Sequence, residues 1–207
     1  MSKKQFTTKD LCSLMMLVIV GSFIGFVVEN VWVSFRYSHI NNRGMILPFL
    51  LGYGIACLIV YLLFGCPDKP RIGTHYFKTK KNPTVVYFLC LFATVMVGES
   101  LFGQVIEHTT GIKWWSYNAI PFHIGRYTSV PTSIGFAACI YLFMTKLFPH
   151  IYKWGAKIHD IGCGVILCIV VVALVADNIH ALNYMHEHQE TFKLWSFEFS
   201  KVASLFK

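Results

Sequence analysis

Four carboxylates stand where carboxylates are costly. Glu29, Glu99 and Asp177 each fall inside a long apolar run, and Glu107 closes one of those runs. An ionisable group within a hydrocarbon-length segment needs a partner and marks a functional site by default. Arg43 and Arg126 lie in short loops beside these runs. A guanidinium fork matches a carboxylate in both shape and charge. Three kinds of chemistry are open to such a set. It could bind a small polar ligand, a lipid head group or an ion. It could act on a lipid or lipid-linked substrate, with Glu99 or Asp177 as general base and the two arginines on a phosphate. It could also do no chemistry and lock helices together through charge pairs, as a partner or sensor subunit would.

The elements that must position these groups are helices. The chain has 207 residues, 55% hydrophobic and 14% charged, against about 25% charged in an ordinary soluble domain. Apolar runs at 11–35, 45–66, 84–108, 129–148 and 161–184 have membrane-spanning length. The expected fold is an all-α membrane bundle of about five transmembrane helices. Residues 1–10 form a short basic N-terminus. The run from Leu11 is longer than a signal-peptide core and predicts a retained first span. Thr8 or Asp10 can cap it, and Gly21 and Gly25 offer a close helix contact. Pro48 is expected in the first turn of the second span, where its missing N–H costs little. The Trp- and Tyr-rich stretch 112–128 reads as an interfacial or re-entrant loop. In the tail, 185–207, the spacing of Phe192, Trp195, Phe199, Val202 and Phe206 predicts an amphipathic helix in the interface.

At about 1.5 Å rise per residue, Glu29 lies about 27 Å along its span, Glu99 about 22 Å and Asp177 about 24 Å. In a core about 30 Å thick, all three reach the same outer third. Arg43 and Arg126 begin the spans beside them, and Glu107 and Lys113 reach the outer rim. Eleven Lys and Arg flank one side of this topology and seven the other. The positive-inside rule then puts the N-terminus in the cytoplasm and the tail outside a cell membrane. The net charge of +8 is explained by these flanks and calls for no nucleic acid.

Other constellations are weaker. The seven Cys form no CxxC and read as small buried hydrophobes. His180, His186 and His188, with Glu187 and Glu190, lack a zinc spacing. There is no GxSxG and no P-loop, so no cofactor is expected and any ATPase would be a separate chain. Trp114 and Trp115 read as interface anchors.

Read in order, Glu29, Asn42-Arg43-Gly44, Pro48, Gly52-Tyr53-Gly54, Glu99, Glu107, Trp114-Trp115-Ser116-Tyr117, Gly125-Arg126-Tyr127 and Gly135 form a pattern. It resembles the putative ABC-transporter type IV family, also called CmpB-like integral membrane proteins, over about residues 20–145. The chain departs from the family at Ser116, where the family has Asp, at Leu47-Pro48 in place of Gly-Pro, at Tyr127 in place of Ile, and near His123 in place of Asn. The resemblance implies transport. The expected function is therefore a transporter- or permease-like membrane protein, with an intramembrane enzyme or a non-catalytic subunit as the alternatives. Glu29, Asn42, Arg43, Glu99, Glu107, Trp115, Tyr117, Arg126 and Asp177 are the candidate substrate-binding residues, with Glu99 central and held by an arginine. Expected partners are membrane lipids and a separate ATPase subunit or further copies of the chain.

Overall fold

The computed structural model describes residues 7–73, 75–76, 82–158 and 161–199. The chain forms an all-α membrane bundle. Its long helices are α1 (Thr8–Tyr37), α3 (Pro83–Thr110), a continuous run from α4 (Val130–Leu142) through a π-helical turn (Phe143–Leu147) into α5 (Phe148–Gly155), and α6 (Ile161–His188). These four are long and apolar enough to cross a membrane. Two of them show a lipid-ready surface, because Val85, Leu89, Val97 and Leu101 on α3 and Val165, Ile169 and Val172 on α6 are exposed.

The helix ends follow local chemistry. The cap of α1 is Thr7, one residue before the expected Thr8. Its side chain accepts from the Asp10 N–H, and Asp10 accepts the Thr7 N–H at 3.0 Å, a reciprocal capping box. Ser129 caps α4 through the Thr132 N–H, with Pro131 in the first turn. Gly111 ends α3 in the left-handed conformation, at φ 78°.

The second expected span, 45–66, is corrected. Only Leu51–Phe64 is helical, and this α2 has 14 residues, about 21 Å of rise. Pro48 does not sit in its first turn. A proline pushes the residue before it away from helical geometry, so Leu47 and its neighbours run irregularly ahead of the helix. Their backbone groups need partners at this depth. Asp177 of α6 supplies them, accepting the N–H groups of Ile46 and Leu47 at 2.9 Å each, and the Leu50 N–H donates to the Ser22 carbonyl at 3.0 Å.

Helix α2 packs on α1 through small residues. A Cβ on Gly54 would strike the Val18 carbonyl and the Ser22 hydroxyl, and one on Gly25 would overlap the Tyr53 ring. Gly21 of α1 faces the Gly54 Cα. The core lies largely toward the N-terminal end of α1, where Leu17, Val60, Tyr87, Leu91, Met144 and Phe148 are buried together.

The tail departs from the expected amphipathic helix. After α6 it turns back as a strap, and its short strand Ser196–Glu198 pairs antiparallel with β1 (His39–Asn41). Trp195 packs on Phe26, which explains the aromatic periodicity without a helix. The part of the predicted stripe at Val202 and Phe206 lies outside the described residues. The 111–129 loop closes with a small hairpin, His123–Ile124 against Thr128–Ser129. Strap, loop and the 38–50 segment share one end of the bundle, called here the loop end.

Candidate functional site

The loop end sorts the four carboxylates into different environments. Glu29, on α1, accepts from Arg43 Nη2 at 2.7 Å and from the Tyr53 hydroxyl at 2.9 Å. Arg43 reaches it from a left-handed turn residue, φ 53°, whose N–H is held by Asn41 at 2.9 Å. Asn30, one residue after Glu29, accepts the Asn41 N–H at 3.0 Å and so fixes the turn to the helix that carries the acid.

Glu99, on α3, meets hydroxyls. The Tyr117 hydroxyl lies 3.3 Å from Oε1, and Thr128 Oγ1 and Ser133 Oγ lie 3.0 and 3.3 Å from Oε2. Thr128 and Ser133 are themselves 3.0 Å apart and buried. Among the described residues no Lys, Arg or His forms an ion pair with Glu99, which corrects the expectation of an arginine partner. Arg126 is drawn elsewhere because the hairpin turns it toward the rim, one residue before Tyr127 plugs against Gly103.

Tyr53 bonds to Glu29 and Tyr117 to Glu99, and the two phenols and two acids lie near enough to influence one another electrostatically, so they form one cluster. Tyr117, in the loop, has its phenol held well above the usual range by burial first, then by the nearby Glu99 and Glu29, with Arg43 opposing. A neutral phenol remains a hydrogen-bond donor at physiological pH. The loop is set for this by a backbone bond from the Tyr117 N–H to the Arg126 carbonyl at 2.8 Å. Trp115 braces it, its indole N–H donating to the Tyr127 carbonyl at 3.1 Å and its ring standing 5.5 Å from that of Tyr127.

Four candidates, Glu107, Arg126, Asp177 and Asn42, have other duties. Glu107 pairs with Arg126, whose Nη1 stands 2.8 and 3.1 Å from its two oxygens, and it also accepts from the Tyr127 hydroxyl. This pair is partly exposed, at 41% and 31% of the side chains, and ties the hairpin to α3. Asp177 is occupied by backbone amides and does not join Glu29 and Glu99. Asn42 is a buried fastener for the strap, donating to the Met45 and Phe192 carbonyls and accepting the Leu194 N–H.

Sequence reasoning missed Tyr53, Thr128 and Ser133 as site residues. Tyr53 was visible only as the centre of Gly52-Tyr53-Gly54; the room for its ring comes from Gly25 on α1. Thr128 and Ser133 look like helix-start residues, and nothing in their spacing points to Glu99.

A family model described as Putative ABC-transporter type IV matches residues 16–182, a span that holds every residue of this cluster. No curated protein and no solved structure matches the chain.

Proposed function

The chain belongs to the putative ABC-transporter type IV family, and on that premise we propose that it is the membrane-embedded part of a transport system. Its solute site is the Glu29–Arg43–Tyr53–Tyr117–Glu99 cluster. The loop end faces away from the cytoplasm, in keeping with the excess of Lys and Arg beside the opposite end. An ATPase would be a separate subunit docking at that basic end.

The observation that carries the reading is the contrast between Glu99 and the other acids. A bundle lock pairs an acid with a base or with backbone amides, as Glu107 and Asp177 do. Among the described residues Glu99 has only neutral hydrogen-bond partners, and the buried Nε of Arg43 has none. A buried polar group left unsatisfied is costly and is expected where a site awaits a further group. The site is also shared among α1, α2, α3 and the loop leading into α4, so relative motion of these elements would open it.

The test is electrical. Proteoliposomes adsorbed on a solid-supported membrane are challenged with panels of cations, carboxylates, amino acids and sugars. Wild-type protein gives a transient current with at least one class, and Glu99→Gln abolishes it. Absence of current with every class, together with native-membrane cross-linking that captures no ATPase subunit, would overturn the reading.

A further inference from the structure

The oxygen contacts around Glu99 outnumber the hydroxyl protons that could fill them. Four contacts are present: Tyr117 to Oε1, Thr128 to Oε2, Ser133 to Oε2, and Thr128 to Ser133. Three hydroxyls take part, and each carries one proton. With Glu99 ionised, one of the four contacts would set lone pairs against lone pairs. A proton on Oε2 completes the set. Thr128 then donates to Oε2, Oε2–H donates to Ser133 Oγ, and Ser133 donates to Thr128, so each oxygen of the triangle gives one hydrogen bond and takes one. Tyr117 still donates to Oε1.

The surrounding charges agree. From α1 the group nearby is Glu29, an acid already matched by Arg43. From α2 it is Tyr53, and from the loop Tyr117. The Thr128–Ser133 side contributes only hydroxyls. On α3 itself Glu107 is taken by Arg126, and α6 contributes Asp177, which is held by backbone amides. Among the described residues no cation in direct contact offsets a charge on Glu99, and an unpaired carboxylate within an apolar bundle is costly.

We propose that Glu99 is a proton-binding site, holding a proton in this closed arrangement and releasing it when the hydroxyl triangle opens. The step makes no covalent change beyond the O–H bond. The proton leaves Oε2 for water admitted to the site, and the carboxylate left behind is free to take a cationic group. This rests on reading the cluster as the functional centre, and it makes proton movement the partner of solute movement.

The experiment is infrared difference spectroscopy of the full-length protein in lipid nanodiscs, titrated by pH and exchanged into D2O. At neutral pH the wild type shows the C=O stretch of a protonated carboxylic acid, which shifts in D2O. The band is missing in Glu99→Gln and persists in Glu29→Gln. Ser133→Ala, which removes one side of the triangle without touching the acid, moves the titration of the band to lower pH. Should Glu99→Gln fail to fold, Glu99→Asp still reports by displacing the band. An acid region identical in wild type and a folded Glu99→Gln overturns the proposal. The spectrum requires no solute, so a band without solute currents would sink the transport reading alone, and currents without a band would sink the proton alone.

Discussion

Asp177 illustrates how one side chain can be costly and still structural. Each of its oxygens takes one backbone N–H from a stretch that forms neither helix nor strand. A hydrogen bond to a charged group contributes about 1.5–3 kcal/mol. Asp177→Ala is therefore expected to lower stability by about 3 kcal/mol, read as a fall in unfolding temperature in detergent. Asp177→Asn keeps one acceptor and should fall between. An Asp177→Ala protein as stable as wild type would contradict the assignment. Tyr117 gives a second test at this scale. Its pKa is raised in the folded state, so folding binds the phenolic proton more tightly. The associated stability is fully present below the ordinary phenol pKa of about 10 and is lost as pH rises above it. Tyr117→Phe should remove that part of the alkaline destabilisation, and an unchanged alkaline limb in thermal scans would count against a buried phenol. The residue types at these positions were legible from the sequence; their partners were not. Glu29 and Arg43 are fourteen residues apart, with a single turn between them, and their pairing follows from proximity. Glu99 and its hydroxyls are 18, 29 and 34 residues apart, and only the packing of loop against helix decides which group meets which.

Among the elements, the crossing of α1 and α2 depends on glycine most strictly. The atom that a Gly54 Cβ would strike is backbone, the Val18 carbonyl, which cannot rotate away. Gly54→Ala is expected to cost about 1–3 kcal/mol through overpacking and to shift Tyr53 away from Glu29. Gly98 and Gly135 have open space around their Cβ positions, so Gly98→Ala should be neutral or slightly stabilising, since alanine is the better helix former. Equal effects of the two substitutions, measured by thermal unfolding, would refute the close crossing. The apolar periodicity announced the long helices and the loop between 111 and 129. It overextended α2 because hydropathy does not register that Pro48 unwinds the chain ahead of it. It misread the strap because alternate aromatic residues that pack on Phe26 and pair along β1 can mimic a helical stripe over so few residues.

At the scale of the molecule, the two ends of the bundle differ in kind. One end is aromatic and rich in acids and hydrogen-bonded loops, and the other is flanked by most of the Lys and Arg. If the first faces away from the cytoplasm, a cysteine replacing Asn118 in the exposed 111–129 loop will react with a membrane-impermeant maleimide in intact cells, and one replacing Asp68 will react only after the membrane is opened. The converse labelling would invert the topology. Family membership and bundle architecture were both readable in the sequence, since order and spacing of polar residues survive without knowledge of contacts. The division of labour among the acids was not, because it is a property of their neighbours.

That division is tested most directly by comparing solute-driven currents of four folded variants at matched protein content in proteoliposomes. Glu29→Gln and Glu99→Gln should lose the current, while Glu107→Gln and Asp177→Asn keep it in proportion to their remaining folded fraction. Full current in folded Glu99→Gln, with loss confined to Glu107→Gln or Asp177→Asn, would contradict a functional centre at the carboxylate that accepts from the Tyr117, Thr128 and Ser133 hydroxyls.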